Sequence, residues 1–158
     1  MRVAVLTISD SVSKGEREDL SGPAVVAACR KLGWAICSTL CVSDEPADIR
    51  EQLRAFADSG RVDLLLTTGG TGIGPRDNTP ESTLGVLDRV IPGISEEMRR
   101  IGLQHTPTAV LSRGVSGVRG AALIVNLPGS PKGAVESLDA VASLLPHAVK
   151  VLSGARHD

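Results

Sequence analysis

The sequence predicts one α/β domain, a three-layer α/β/α sandwich with a mainly parallel central sheet. Three observations predict it. Short apolar runs alternate with longer segments of helical period, glycine or proline stands at most junctions, and no linker, repeat or low-complexity stretch divides the 158 residues. The length suits a single domain over 1–158, and 42% hydrophobic residues supply one real core, which excludes wholesale disorder.

Residues 3–8 (VAVLTI) form a compact apolar run, read as a buried strand. Over residues 21–32, Val25, Val26, Cys29 and Leu32 share a helix face, with Ser21 as the expected cap and Gly33 at the stop. Residues 34–42 are rich in Ile, Thr and Val and read as the second strand. Ser43 or Asp44 is expected to cap the next helix, with Pro46 in its first turn and Ile49, Leu53, Phe56 and Ala57 on its inner face. Gly60 ends it, and residues 62–67 (VDLLLT) make the third strand. After a long glycine loop a helix begins near Pro80; Pro92 and Gly93 then break the chain before a stripe of Ile94, Met98 and Ile101. Residues 106–120 read as loop with one short strand, and residues 121–126 (AALIVN) as a firm strand. Ser130 and Pro131 open the last long helix, whose inner face is Ala134, Leu138, Ala142 and Leu145; Pro146 kinks or restarts it, leaving a short helix over 148–152.

Several function classes drop out early. No run of eighteen apolar residues exists, so no membrane span is expected, and the N-terminal apolar stretch is too short and polar for a signal peptide. A cytoplasmic protein is the expectation. The net charge of -1 and the presence of only Trp34 and Phe56 among aromatics argue against a nucleic-acid partner, which would want a basic face and stacking platforms. Cys29, Cys37 and Cys41 follow no metal-ligand spacing and read as small hydrophobes, while His105, His147 and His157 are too scattered for a helical zinc pair.

In open α/β sheets, ligands bind beyond the carboxyl ends of the strands. Four polar segments fall there: Ser9-Asp10-Ser11, Ser43-Asp44-Glu45, the loop after the third strand, and residues 126–132. The third is the most informative. It reads TTGGTGIGPRDNTPE from Thr67 to Glu81, and Gly69, Gly70, Gly72 and Gly74 leave its main chain nearly bare, so that N–H groups can converge on an anion with Thr68, Thr71, Arg76 and Thr79 beside them. Phosphate binding is the physical reading. No Walker pattern is present, and the dinucleotide pattern fails because Pro75 stands where a third glycine belongs. Asp77, just past the glycines, would repel such a ligand unless a cation intervenes; Mg²⁺ satisfies this, and Asp44 is a second candidate carboxylate, with helix capping as its plainer alternative. Arg113, after Ser112 in a glycine-flanked connection, is a candidate anion contact, and Lys132 at a helix start is a second.

The block TTGGTGIGPRDNTPE, with SDSVSKGEREDLSGP upstream and LPGSPKGA downstream, resembles the MogA/MoaB family of molybdenum cofactor biosynthesis over nearly the whole chain. The resemblance implies a molybdopterin-binding domain fold, a homotrimer, and adenylylation of the molybdopterin phosphate by ATP with Mg²⁺, releasing pyrophosphate, before hand-over to a molybdenum insertase. Carried onto this sequence, Asp44 and Asp77 match the functional and metal-binding carboxylates, 69–74 the phosphate and nucleotide loop, and Ser112, Arg113 and the turn of Pro128, Gly129, Ser130 and Pro131 the lining of the pterin and phosphate pocket. A non-catalytic molybdopterin-binding protein of the same fold stays open as the alternative. Both carboxylates and the loop are present, which favours activity.

Overall fold

A computed structural model describes residues 1–155; His157 lies outside them. The six-stranded sheet has the order β2-β1-β3-β6-β5-β4. Strands β1 (Arg2–Ile8), β2 (Ala35–Val42), β3 (Leu64–Thr68) and β6 (Ala122–Leu127) are parallel, while β5 (Ser116–Arg119) and the two-residue β4 (Arg89–Val90) add an antiparallel edge. The antiparallel edge has no strong pattern in the sequence, because β4 is too short to alternate and β5 carries Gly117 beneath Leu87.

Side-chain parity sorts the core into two layers. Val3, Val5, Leu64, Leu66, Leu123 and Val125 face α2 (Ser21–Lys31), α5 (Pro92–Gly102), α6 (Pro131–Val141) and α7 (Leu145–Leu152). Ala4, Leu6, Leu65 and Ile124 face α3 (Pro46–Asp58) through Ile49, Leu53 and Ala57, and α4 (Thr79–Leu84) packs beside α3. The central strands read as continuous apolar runs because both their faces are covered.

Three local expectations need correction. Ser21 does not cap α2: Leu20 is the N-cap residue without a side-chain bond, and Asp19 accepts the Gly22 N–H at 2.9 Å instead. Neither Ser43 nor Asp44 caps α3, whose N-cap is Glu45; Ser43 Oγ accepts the Glu45 N–H and donates to Asp48, which leaves the Asp44 carboxylate for another partner. The chain also forms a short helix directly after β1, α1 (Asp10–Ser13), and a 3₁₀ turn over Pro107–Leu111. Ser130 does cap α6, accepting the Gly133 N–H, and the helix stops at Val141 before restarting as α7 with Pro146 in its first turn.

Strand order makes the site. The chain moves outward from β1 to β2, then returns to the other side of β1 for β3. The connections leaving β1 and β3 therefore diverge, which opens a crevice at the carboxyl rim.

Candidate active site

Two cavities open on this rim. The first, of about 530 Å³, lies over the ends of β1 and β3, with Asp44, Thr68 and Arg17 in its wall. The second, of about 460 Å³, runs toward Ile73, Ala109, Leu111 and Ser112. Gly70, Asp77, Gly129 and Ser130 line both, so the glycine loop and the turn after β6 form the septum between them.

The loop enters this septum under tight constraints. Gly69 has φ of 106° and Gly70 of 67°, and a Cβ on Gly69 would stand 2.3 Å from the Ile8 carbonyl oxygen. The two loops touch where Thr68 Oγ1 donates to the Pro128 carbonyl at 2.7 Å and the Gly69 N–H to that of Leu127 at 3.2 Å.

Residues 69–72 have a consistent polarity. The carbonyls of Gly69 and Gly70 accept from Thr79 Oγ1 and the Thr79 N–H, at 2.9 and 3.1 Å. Those of Thr71 and Gly72 accept from the Arg113 N–H and Arg113 Nε, at 2.8 and 2.7 Å. Four successive oxygens are thus tied into the protein. Among the described residues, the amides of Gly70, Thr71 and Gly72 donate to no protein acceptor. Unpaired amides on a loop with its carbonyls held back make an anion-binding concavity. The N-terminal ends of α2 and α6 meet cavity one through Ser21 and Pro131, adding partial positive charge.

The carboxylates surround that loop. Asp77 Oδ2 accepts the Gly74 N–H at 2.8 Å, which holds it against the glycines. Asp44 Oδ2 accepts the Asp10 N–H at 2.8 Å, and Asn78 Nδ2 donates to the Asp44 carbonyl at 3.0 Å. Burial pushes the Asp44 carboxyl above the ordinary carboxylate range, and the charges of Asp10 and Asp77 push it the same way. Asp10 is held low, first by Arg76 and then by the Asp44 N–H. The donor set fits a cation that comes with its ligand. Asp44 and Asp77 both line the cavity beside the glycine loop, and no group of three His, Cys, Asp or Glu among the described residues is arranged to hold a metal alone. Mg²⁺ takes one or two carboxylates and completes its octahedron with phosphate oxygens and water.

The cations named from sequence have other tasks. Arg113 lines neither of the two cavities: Nε holds Gly72, Nη2 holds the Asp77 carbonyl at 2.8 Å, and Nη1 pairs with Glu81. It is a brace for the loop, and Glu81, kept acidic by Arg113, anchors the brace. Arg76 bridges Asp10 and Glu45, tying the loop to the ends of β1 and β2. The Lys132 side chain is 87% exposed and lies 3.8 Å from Glu136 on its own helix. Ser9 Oγ accepts the Val12 N–H and lines cavity one; Ser112 and Pro128 line cavity two. Arg17, Asp19 and Thr7 in cavity one, and Thr106, Glu136 and Ser137 in cavity two, escaped the sequence reading. The charged turn that carries Arg17 and Asp19 is fixed to the start of α2, where Asp19 accepts the Gly22 N–H.

A family described as "Probable molybdopterin binding domain" matches residues 4–147. The chain is 41% identical over 159 residues to the molybdopterin adenylyltransferase of Helicobacter pylori J99, covering 98% of this chain and 89% of that one. With the molybdopterin adenylyltransferase of Escherichia coli K12 it shares 42% identity over 144 residues, covering 89% and 73% respectively. The crystal structure of the molybdopterin biosynthesis enzyme MoaB from Thermus thermophilus superposes with a TM-score of 0.92 at 50% identity, covering 99% of each chain.

Proposed function

This chain belongs to the family of probable molybdopterin binding domains, and we propose that it is a molybdopterin adenylyltransferase acting in molybdenum cofactor biosynthesis. One observation carries the reading: a loop with its carbonyls bound inward and three amides unpaired forms the wall between two cavities. Such a wall suits a reaction in which two phosphates meet.

In that reaction a terminal phosphate oxygen of molybdopterin attacks the α-phosphorus of ATP. The new O–P bond forms as the bond from the α-phosphorus to the bridging oxygen breaks, and pyrophosphate leaves. The nucleophile is already anionic, so no strong base is needed; the difficulty is repulsion and alignment. Cavity two, with Ile73, Ala109, Leu111 and Pro128, offers apolar surface to the pterin, and cavity one takes the nucleotide. The amides of Gly70, Thr71 and Gly72 receive phosphate oxygens at the boundary. Asp44 and Asp77 are the residues that would hold Mg²⁺, which when bound screens the phosphate charge. Thr79 and Arg113 keep the amides aimed by fixing their carbonyls.

The same reading sets the cell context. Free thiols at Cys29, Cys37 and Cys41 agree with a reducing, cytoplasmic setting. Exposed Leu103 and Val110, outside the cavities, support association of copies, and the family resemblance suggests a homotrimer. Hand-over of the product to a molybdenum insertase agrees with relatives in which this domain is part of a longer chain: the "Molybdenum cofactor biosynthesis bifunctional protein" of Synechococcus elongatus is matched over 48% of its length. The test is ATP-dependent pyrophosphate release by the purified protein with molybdopterin, in wild type and Asp77→Ala. Release that collapses in the variant while molybdopterin still binds supports the reading; unchanged turnover removes the role given to Asp77, and no release by the wild type leaves a binding protein.

A further inference from the structure

Cavity one presents Glu18, Asp19, Asp44 and Asp77 to a ligand that must be strongly anionic. Against these carboxylates stands one guanidinium. Among the described residues lining either cavity, Arg17 is the only Lys or Arg. The three cations that the sequence pointed to are committed elsewhere, Arg76 to Asp10 and Glu45, Arg113 to the loop and Glu81, Lys132 to Glu136. Arg17 makes no hydrogen bond or ion pair with any described residue.

Its backbone is nonetheless held in place. On one side the Glu16 N–H donates to the Ser11 carbonyl at 2.9 Å. On the other, Asp19 accepts from Thr7 Oγ1 at 2.7 Å and from the Gly22 N–H at 2.9 Å. The first tether fixes the turn to α1, the second to β1 and the start of α2. An unpaired guanidinium between two anchors at the mouth of an acidic cavity is built to meet an incoming anion.

We propose that Arg17 binds the β- and γ-phosphates of the nucleotide and stays with them as the pyrophosphate leaves. This rests on the adenylyl-transfer reading. In-line displacement puts the leaving group opposite the nucleophile. With the pterin phosphate arriving from cavity two and the α-phosphate at the shared wall of Gly70 and Asp77, pyrophosphate departs into the part of cavity one that is not shared, where Arg17 stands.

The experiment compares wild type, Arg17→Gln and Arg17→Lys. It measures KM for ATP, KM for molybdopterin, inhibition by pyrophosphate, and calorimetric binding of Mg-ATP. Loss of one charge-assisted contact raises the KM for ATP and the inhibition constant of pyrophosphate about tenfold in Arg17→Gln, with the KM for molybdopterin and the melting temperature unchanged. Arg17→Lys, which keeps the charge without the fork, recovers part of both. Equal Mg-ATP affinity in wild type and Arg17→Gln overturns the assignment of Arg17 alone, as does a parallel rise in the KM for molybdopterin. If the wild type binds no Mg-ATP and releases no pyrophosphate, the adenylyl-transfer reading falls and the assignment with it.

Discussion

Asp10 and Asp44 each accept the other's backbone N–H, Asp10 N to Asp44 Oδ2 at 2.8 Å and Asp44 N to Asp10 Oδ1 at 3.0 Å. The exchange joins the segments leaving β1 and β2 across the rim. It also places two carboxylates side by side with opposite perturbations. Arg76 compensates Asp10, while Asp44 is left partly buried beside the charges of Asp10 and Asp77.

Replacing these two residues should therefore move stability in opposite directions. The raised carboxyl of Asp44 contributes stability that is full below the unfolded carboxylate pKa and lost as pH rises through the folded value. The lowered carboxyl of Asp10 contributes stability present above the unfolded pKa and lost as pH falls through the folded one. At neutral pH, Asp44→Asn should melt at or above wild type and Asp10→Asn below it; the Asp44→Asn difference shrinks as pH falls toward about 4, and the Asp10→Asn difference shrinks on further acidification below about 4. Calorimetric melting across this range checks the signs. If Asp44 holds Mg²⁺ as proposed, Asp44→Asn should lose adenylylation by about 100-fold despite its stability.

Arg113 supplies the second prediction. Arg113→Lys cannot reproduce a fork that holds Gly72 and Asp77 carbonyls and Glu81 together. Urea unfolding should show a loss of about 1.5–3 kcal/mol, the range for hydrogen bonds to a charged group. Catalysis should fall further than stability, since freed carbonyls let the unpaired amides turn away. Full activity at saturating ATP would show that Arg113 does not set the loop.

Much of this architecture was legible in the sequence, for identifiable reasons. The three central parallel strands, β1, β3 and β6, stand out because burial on both faces makes them largely apolar runs, while the edge strand β2 shows instead through its Ile, Thr and Val content. The glycine loop stands out because four glycines in six positions contribute no apolar side chain to a core. Sequence spacing did not reveal direction. Asp44 reads as a helix cap from position alone, yet the N–H it receives belongs to Asp10, 34 residues earlier. Arg113 reads as a ligand contact, but its partners are loop carbonyls 36 and 41 residues away. Contacts of this length depend on strand order, and the antiparallel β4–β5 edge that helps carry Arg113 to the rim has too few residues to announce itself.

Asn126 is the hidden support behind the septum. It is 1% exposed; Nδ2 donates to Thr67 Oγ1 at 3.0 Å and Thr83 Oγ1 at 3.1 Å, and Oδ1 accepts the Val115 N–H at 3.1 Å. These bonds join β6, β3 and α4 directly beneath the loop. Asn126→Leu keeps the bulk and removes the bonds, leaving the Val115 amide and the Thr67 hydroxyl without a partner and the Thr83 hydroxyl with only its bond to the Thr79 carbonyl. About 2–4 kcal/mol should be lost, read as a lower urea midpoint at unchanged slope. A variant as stable as wild type would mean that the hydroxyls find other partners.

Two glycines of positive φ separate conformational cost from contact cost. Gly60 has φ of 71° with nothing within 4 Å of a built Cβ. Gly60→Ala should cost only the left-handed penalty, about 1–2 kcal/mol. Gly69 has φ of 106°, and its Cβ would stand 2.3 Å from Ile8 O, a backbone atom fixed in the central sheet. The sheet cannot yield, so the loop must. Gly69→Ala should lose clearly more stability than Gly60→Ala in parallel denaturant titrations, and it should lose nucleotide binding while Gly60→Ala keeps it, because the displaced residue carries the peptide leading into the Gly70 amide. Equal stability losses with equal nucleotide affinity would show that the loop accommodates the methyl group, and the close approach to Ile8 would then have no bearing on the phosphate site.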